Sequence, residues 1–239
     1  MPAVTARTIH DIQASNFASI ELVVLHDPHA AARPQPRWRR KLNILLEKKR
    51  RSRILFSQYS KWDHSSAVFP SPDAPVDCAT VLATVPTLHV TPLDHGPVHR
   101  FSDDDLRAIA NHQLDVILRF GFNILRGGIL DAARCGVWSY HHGDNDSYRG
   151  GPPLLWEIVE GNPESGVILQ KLTDALDNGL VLRKSTFRTL PGVHWSHNEF
   201  GPFWGTQHFV IEQLWHVHNY GWEHVHGRAY VSSQYHGRR

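Results

Sequence analysis

Short apolar runs bounded by turn residues recur along the chain and predict buried strands. They occupy residues 20–26, 116–120, 136–140, 165–172 and 180–187. The first run, Ile-Glu-Leu-Val-Val-Leu-His, is rich in branched aliphatic side chains and is followed by Asp-Pro. Apolar runs of this length are typical of strands that are covered on both faces of a sheet. The pattern therefore predicts a sheet inside a two-sided core.

Segments with helical spacing of apolar residues lie between these runs. The predicted helices occupy residues 8–16, 38–61, 103–113, 124–133 and 154–160. Ser102 stands directly before three aspartates and is a good N-cap, because its hydroxyl accepts a free backbone N–H and carboxylates are favoured at that end of a helix. Strands that alternate with helices need crossover connections. We therefore expect an α/β fold: a three-layer, Rossmann-like, mainly parallel sheet with helices on both faces.

The composition is that of a globular chain with one sizeable core. Of the 239 residues, 41% are hydrophobic and 20% are charged, as in folded soluble proteins. No run approaches the roughly 18 apolar residues of a membrane span, and the first residues lack the apolar core of a secretory signal. Cys78 and Cys135 are too few for a disulfide framework or a thiolate zinc site. We expect a cytoplasmic protein without a membrane partner.

The net charge of +2 is too small to indicate a nucleic-acid partner, and we expect none. Basic residues are nevertheless concentrated between positions 33 and 53, where ten of them accompany a single acid, Glu47. Such a run can bind phosphate groups, as in RNA or phosphorylated sugars. Leu42, Leu45 and Leu46 lie within it at helix spacing, so we favour a solvated face of a helix.

Histidines are concentrated near the C-terminus, where His-x-His pairs stand at residues 216–218 and 224–226. Neutral imidazole is a common metal ligand, but no carboxylate or cysteine stands at a recognisable zinc spacing. The segment is rich in tryptophan and has the apolar pattern of a helix around residues 209–218. We favour a structural role for these histidines and predict no metal site.

A series of separated motifs follows the predicted strand at residues 136–140. It comprises His-His-Gly-Asp-Asn-Asp-Ser-Tyr-Arg-Gly-Gly-Pro-Pro from His141, Ser-Gly-Val at residues 165–167 and Leu-Asp-Asn-Gly at residues 176–179. Their order resembles the N-terminal catalytic domain of the formyltransferases that use 10-formyltetrahydrofolate. That family includes methionyl-tRNA, glycinamide ribonucleotide and sugar-amine formyltransferases. The resemblance covers about residues 105–188 and implies the formyltransferase fold.

The resemblance implies three catalytic residues. His141 would face the formyl oxygen, and Asp177, which follows 36 residues later, would pair with it, raise its pKa and order a proton-relaying water. Ser139 stands where the family has an asparagine. Losing one oxyanion donor typically costs on the order of a hundred- to a thousandfold in rate. Taken singly, these residue types are more often structural, because a histidine after a strand is usually hydrogen-bonded and Leu-Asp-Asn-Gly favours a turn; His142 fits such a role.

The resemblance also implies a site for the formyl donor. Gly121, Phe122 and Asn123 occupy the segment whose backbone contacts the pterin in the family. Asp144 lies in the loop beside the predicted catalytic histidine and is assigned to the same site. The implied donor is 10-formyltetrahydrofolate.

Arg149 and Gly150 occupy the substrate-loop position of the family, where we expect the arginine to fix the loop. The sequence Gly-Asp-Asn-Asp at residues 143–146 replaces the family's apolar Ser-Leu-Leu-Pro loop. Polar side chains beside the site imply a polar acceptor. We therefore expect a small-molecule amine acceptor, with an amino sugar favoured.

Members of the resembled family begin with a central strand, a glycine-containing turn and a helix, whereas this chain begins inside that helix. The sheet would then have a gap between the strands at residues 20–26 and 116–120. Either the chain is a fragment of a longer protein, or those two strands pair directly. We expect residues 1–188 to form the catalytic domain without its first strand. Residues 189–239 would form a His/Trp-rich helical extension that packs on it.

Three functions remain open from the sequence. The first is transfer of a formyl group from 10-formyltetrahydrofolate to an amine. The second is a formyltransferase-like binding domain without catalysis, because Ser139 departs from the family pattern. The third is a hydrolase that delivers the formyl group to water and releases formate. The sequence leaves the oligomeric state open.

Overall fold

The computed structural model describes residues 1–27, 48–93, 96–174 and 179–231. Its helices are α1 (Ala3–Ala14), α2 (Lys48–Ser65), α3 (Asp103–Ala110), α4 (Trp156–Glu160), α5 (Trp195–Thr206), α6 (Phe209–Tyr220), α7 (Trp222–Arg228) and a 3-10 helix (Gly127–Asp131). Its strands are β1 (Val23–His26), β2 (Thr87–Val90), β3 (Val98–His99), β4 (Ile117–Leu118), β5 (Ile124–Leu125), β6 (Val137–His141), β7 (Glu164–Lys171), β8 (Leu180–Arg188) and β9 (Tyr230–Val231). The expected α/β class is confirmed.

The described strands form mixed sheets, which corrects the expectation of a mainly parallel sheet. Five strands lie in the order β4-β6-β7-β8-β9; β4 and β6 are parallel, whereas the β6–β7, β7–β8 and β8–β9 pairs are antiparallel. Two further pairs, β1–β2 and β3–β5, are parallel. The connection between β7 and β8, residues 172–179, is shorter than the roughly a dozen residues that a parallel crossover needs. These two strands therefore form a hairpin.

Helix α3 begins as the sequence predicts. The hydroxyl of Ser102 accepts the N–H of Asp105 at 3.1 Å, and the N–H of Ser102 donates to the Asp105 carboxylate at 3.3 Å. This reciprocal pair is a capping box, which satisfies two free donors at the helix start. The helix ends at Ala110, three residues before the end that the sequence predicts at residue 113. Gln113 has a φ of +50°, a left-handed conformation that does not continue a right-handed helix.

The segment after α3 differs from the sequence prediction. The strand predicted at residues 116–120 is reduced to β4, and the helix predicted at residues 124–133 is instead β5 followed by the 3-10 helix. Phe122 lies between them with a φ of +60°, which interrupts regular structure. Strand β2 lies between residues 65 and 98, where the pattern indicates loops and short strands without defined bounds. The basic run between positions 33 and 53 lies outside the residues whose side chains the structure describes.

Two apolar clusters cover the opposite faces of the sheet. Val137 of β6 belongs to the first cluster and its neighbour Trp138 to the second, and successive residues of a strand point to opposite faces. α3 and the 3-10 helix contribute Ile109 and Ile129 to the first cluster, and α6 contributes Phe209 to the second. All five side chains are at most 2% exposed. Helices therefore pack on both faces of β6.

The C-terminal part of the described chain is helical. α6 confirms the helix predicted around residues 209–218. The rings of His216 and Tyr220 lie 5.8 Å apart, and those of Phe17 and His218 lie 5.9 Å apart, so these histidines pack against aromatic neighbours. Within the described ranges, no group of three or more His, Cys, Asp or Glu side chains could hold a metal ion. No described helix is long and apolar enough to cross a membrane.

Strands β1 and β4 do not pair with each other in the part of the chain that the structure describes. β1 pairs with β2, and β4 pairs with β6. Direct pairing of the two strands, one of the two alternatives from the sequence, is therefore wrong. A cavity of about 770 Å³ lies between them and is lined by residues 20–26 and 114–122.

Candidate active site

Ser139 and His141 lie on one face of β6. One position separates them, so their side chains project from the same side of the strand. Ser139 is buried, and His141 is half-buried at the carboxyl end of the strand. The Nε2 atom of His141 lies 3.3 Å from the carbonyl oxygen of Tyr148, which holds the ring against the loop that follows. The strand thus brings two of the three predicted catalytic residues together.

Arg119 connects Ser139 with the loop that follows β4. Its Nη1 donates to the hydroxyl of Ser139 at 3.2 Å, while Nε and Nη2 donate to the carbonyl oxygens of Asn123 and Phe122 at 3.1 and 3.0 Å. A guanidinium presents its donors in a planar fork of fixed geometry. These bonds therefore fix the loop relative to β6. The sequence analysis did not predict a role for Arg119. The sequence feature that could have indicated one is the position of a basic residue at the end of the apolar run Val-Ile-Leu.

The ring of Phe122 is the centre of an aromatic cluster. It meets the rings of His26 and His99 edge-on, at centroid distances of 5.7 and 5.9 Å. The N–H of Asn123 donates to Nδ1 of His99 at 3.2 Å, and Nδ2 of Asn123 lies 3.1 Å from Nε2 of the same ring. Gly121 is exposed, with open space beside it. The loop predicted to bind the donor is thus tied to β1 and β3.

Asp144 is held on the sheet by Lys184 of β8. The ammonium donates to Oδ1 of Asp144 at 2.7 Å and to Asp146 at 3.2 Å. Burial alone would lower the pKa of Lys184, but the two carboxylates outweigh it and raise that pKa above its usual value. Gly166 of β7 lies under Asp144, and a Cβ at Gly166 would be 2.8 Å from Asp144 Cβ. The glycine of the Ser-Gly-Val motif is therefore required by this close approach.

Arg149 supports the loop between β6 and α4. Its Nε donates to the carbonyl oxygen of Asn145 in the same loop at 2.9 Å, and the neighbouring Gly150 is exposed with a φ of +90°. The fully buried Asn145 donates through Nδ2 to Oε1 of Gln170 at 3.2 Å. Gln170 lies opposite Ser139 in the β6–β7 register. Two carboxamides that the sequence did not predict therefore lie on the Ser139 face of the sheet.

Asp177 lies outside the described residues, and its pairing with His141 stays a prediction. The described chain resumes at Gly179, where a Cβ would be 2.6 Å from Oε1 of Gln170 and 2.6 Å from the carbonyl oxygen of Lys171. A side chain does not fit at Gly179 without displacing backbone. The last residue of the Leu-Asp-Asn-Gly motif therefore lies against the end of β7.

His142 has a structural position, as the sequence suggested. Its ring stacks on Phe203 with centroids 3.4 Å apart and on Tyr140 at 5.8 Å. Burial, with a smaller contribution from His141, lowers the pKa of His142 to about 3. This imidazole is therefore neutral at physiological pH and serves as a packing group on the face opposite His141.

Comparison with known proteins places these features in a family context. The chain is 29% identical over 131 residues to the methionyl-tRNA formyltransferase of Agathobacter rectalis, across 52% of this chain and 42% of that protein. It is 31% identical over 129 residues to the methionyl-tRNA formyltransferase of Desulfotalea psychrophila, across 51% of this chain and 40% of that protein. The chain is formyltransferase-like. The matched part is less than half of the length of these curated relatives.

The fold of this formyltransferase-like chain is similar to that of a solved enzyme. The crystal structure of glycinamide ribonucleotide transformylase 1 from Geobacillus kaustophilus matches it with a TM-score of 0.54 and 16% identity, over 88% of this chain and 89% of that chain. At this identity the likeness shows the fold alone. No family model matches the chain.

Proposed function

We propose that this formyltransferase-like protein transfers a formyl group from 10-formyltetrahydrofolate to an amine on a small molecule. The observation that carries the proposal is the shared face of Ser139 and His141 at the end of β6, joined through Arg119 to the loop of Phe122 and Asn123. In α/β sheets, ligands bind beyond the carboxyl ends of strands. We also propose that residues 1–188 form the catalytic unit of a three-layer, Rossmann-like domain and that residues 189–239 pack on it.

The groups around this loop fit a flat, heteroaromatic donor. Phe122 contributes an aromatic ring, and the positive φ at that position turns the backbone of the loop. Gly121 has no side chain that would cover the neighbouring peptide groups, and its surroundings are open. When bound, the donor supplies an activated formyl carbon. We infer that Gly121, Phe122 and Asn123 hold its ring through stacking and backbone hydrogen bonds, while Asp144 anchors the adjacent loop.

The side chains at the end of β6 suit the charge changes of formyl transfer. The amine nitrogen forms a bond to the formyl carbon, the bond from that carbon to the folate nitrogen breaks, and the amine proton is passed to the departing nitrogen. Negative charge develops on the formyl oxygen between these events. We infer that His141, protonated, donates to that oxygen and that Asp177 supports its charge. The guanidinium of Arg119 polarises the Ser139 hydroxyl at 3.2 Å and adds positive charge beside the same face.

The loop after β6 favours a polar acceptor. Asp144 and Asp146 share one ammonium, that of Lys184, at 2.7 and 3.2 Å. Charged groups of this kind hydrogen-bond well to hydroxyl groups and to an ammonium. We therefore favour an amino sugar over an apolar amine.

The proposal is tested by product analysis. The protein is incubated with 10-formyltetrahydrofolate and a panel of amino sugars, and the products are separated by mass spectrometry. A formylated amine supports transfer. Formate released in the absence of an amine, without any formylated product, would instead support the hydrolase.

One observation favours a second candidate, a binding domain without catalysis. The hydroxyl of Ser139 is engaged by Arg119 and lies 3.2 Å from the carbonyl oxygen of Tyr140, so it is not directed at a reacting atom. The substitution Ser139→Asn discriminates the two functions. A gain in transfer on the order of a hundredfold would indicate that the wild-type site has lost its oxyanion donor, whereas unchanged or lower transfer indicates that the serine is adapted to its substrate.

A further inference from the structure

The carboxylate of Asp63, near the end of α2, is fully buried and binds the first turn of α5. It accepts the backbone N–H of Trp195 at 2.9 Å and that of Ser196 at 2.6 Å, one on each oxygen. Nδ1 of His194 lies 3.1 Å from the oxygen that Trp195 binds. Burial would raise the pKa of Asp63, but hydrogen bonds from Ser196, Trp195 and His194 outweigh it and lower that pKa. The carboxylate is therefore charged at physiological pH.

Asp63 does for α5 what an N-cap residue does for most helices. The first N–H groups of a helix have no partner within it, and a carboxylate beside them stabilises the positive end of the helix. In the described chain, His194, which precedes α5, supplies no side-chain cap to the helix. The cap comes instead from a residue that lies 132 positions before Trp195. The start of α5 is therefore fixed relative to α2.

α5 in turn contacts both ends of the loop between β6 and α4, residues 142–155. At the far end, the indole N–H of Trp195 donates to the carbonyl oxygen of Pro153 at 2.9 Å. At the near end, the ring of Phe203 stacks on that of His142, directly after the proposed catalytic histidine, with centroids 3.4 Å apart. A shift of α5 along its axis would therefore move both ends of the loop.

Aromatic packing alone does not define the position of α5. The rings of Phe56 and His64 on α2 lie 5.6 and 5.1 Å from that of Trp195, and apolar contacts of this kind are non-directional. Hydrogen bonds to two successive N–H groups, by contrast, require both a distance and an angle. The carboxylate of Asp63 thus selects one position of α5 among those that packing allows.

We propose that Asp63 is a positioning residue for residues 142–155, the acceptor loop: by fixing the start of α5, it sets the place of both loop ends and hence the affinity for the amine acceptor. The assignment of this loop to the acceptor rests on the proposed function, whereas the coupling between Asp63 and the loop does not. The donor loop is held separately, by Arg119. A change at Asp63 is therefore expected to leave donor affinity unchanged.

Amide hydrogen exchange of Asp63→Asn tests the coupling without any ligand. The carboxamide has the same shape, but its NH₂ group cannot accept a hydrogen bond, so one of the two bonds to α5 is lost together with the charge. Exchange at the slowest amides of residues 142–155, followed by mass spectrometry, is expected to accelerate by about tenfold or more through local opening. Unchanged exchange of this loop in a folded variant overturns the proposal.

Glu199→Gln separates positioning from a general loosening of the contact between α2 and α5. Oε2 of Glu199 lies 3.0 Å from Nε2 of His64, so the pair belongs to the same contact but lies apart from the first N–H groups of α5. Burial, with smaller contributions from Asp73 and Asp63, raises the pKa of Glu199 to about 8. Glutamine therefore replaces a carboxyl group that is largely protonated at pH 7. Loop exchange should stay within a few-fold of wild type; acceleration equal to that of Asp63→Asn overturns the proposal.

Trp195→Phe breaks the next link and decides the question if Asp63→Asn does not fold. Phenylalanine keeps an aromatic ring beside Phe56 but lacks the N–H that binds Pro153. Loop exchange is expected to accelerate by about fivefold, since one uncharged hydrogen bond is lost. Thermal melting checks that each variant is folded, and loop exchange equal to that of wild type in folded Trp195→Phe overturns the proposal.

Steady-state kinetics test the consequence for the acceptor. With the amino sugar that the product analysis identifies, Asp63→Asn is expected to raise KM for the acceptor by about tenfold, because binding of the acceptor is weakened. Kd for 5-formyltetrahydrofolate should stay within about twofold of wild type. A lower kcat with unchanged KM overturns the role in acceptor binding. If the wild-type chain transfers no formyl group, the proposed function fails, and the exchange measurements still decide the coupling between Asp63 and the loop.

Discussion

The guanidinium of Arg119 lies 3.2 Å from the hydroxyl of Ser139 and joins two segments that are separate in the sequence. The same side chain binds the carbonyl oxygens of Phe122 and Asn123. The loop proposed to hold the formyl donor and the strand proposed to carry the catalytic histidine are therefore positioned by one residue. We therefore expect donor binding, and not only catalysis, to depend on Arg119.

Replacement of Arg119 by methionine is expected to weaken binding of 5-formyltetrahydrofolate by about tenfold or more. Hydrogen bonds from a charged group contribute about 1.5–3 kcal/mol, and the substitution removes three of them from the loop and Ser139. Calorimetric titration measures the affinity. Arg134→Met is the matched control, because both side chains of the ion pair between Arg134 and Asp115 are exposed to solvent. If both variants weaken donor binding equally, the proposed role of Arg119 is contradicted.

Replacement of His141 by alanine is expected to reduce formyl transfer by at least about a hundredfold, since one oxyanion donor is lost. The side chain is half-buried, so the melting temperature should change little. Transfer is measured under single-turnover conditions, and donor affinity is measured in parallel. His142→Phe, on the opposite face, is the control and should retain transfer within a few-fold. Full activity of the alanine variant would exclude His141 from the chemistry.

The half-buried His142, stacked between Phe203 and Tyr140, predicts a specific dependence of stability on pH. Its pKa is about 3 in the folded chain, against 6.5 for an ordinary histidine. Between these values the unfolded chain binds a proton that the folded chain does not, so the free energy of unfolding decreases as pH falls from about 6.5, by up to about 1.4 kcal/mol per pH unit. His142→Phe removes this contribution.

Urea unfolding at pH 7 and pH 5 measures the effect. The stability of His142→Phe relative to wild type should be higher at pH 5 than at pH 7. The ring still fills the space beside Phe203 and Tyr140, so packing is largely preserved. A difference between the two proteins that is identical at both pH values would show that His142 is not kept neutral by burial.

Replacement of Gly166 by alanine is expected to destabilise the chain by about 1–3 kcal/mol, the usual cost of overpacking. The added Cβ would lie 2.8 Å from Asp144 Cβ and 3.0 Å from its Cα, so the loop must move away from β7. Gly227→Ala is the matched control, because nothing lies within 4 Å of that position. Chemical unfolding measures both variants; equal stability of the Gly166 variant and wild type would contradict the close approach.

Several strands and the family resemblance could be predicted because they depend on local patterns. Residues 136–140 and 165–172 were expected as strands and correspond to β6 and β7, and Ser102 was expected as an N-cap. Strand direction could not be predicted in the same way. The antiparallel pairing of β7 and β8 follows from their short connection, whereas the alternation of elements suggested crossovers.

The polar contacts of the site could not be predicted from spacing. Arg119 and Ser139 meet only because β4 and β6 are parallel neighbours. Asn145 and Gln170 meet because the loop after β6 folds back onto β7. The requirement for glycine at position 166 likewise arises from a chain segment that is distant in sequence.

The central claim, that this chain binds a formyl-folate at the end of β6, is tested most directly by melting wild-type protein with increasing 5-formyltetrahydrofolate. A ligand that binds the folded state alone stabilises it by RT ln(1 + [L]/Kd), about 2.7 kcal/mol at a hundred times Kd. The account predicts a melting temperature that rises continuously with ligand and a smaller rise for Arg119→Met. A melting temperature that stays constant up to millimolar ligand would contradict the account.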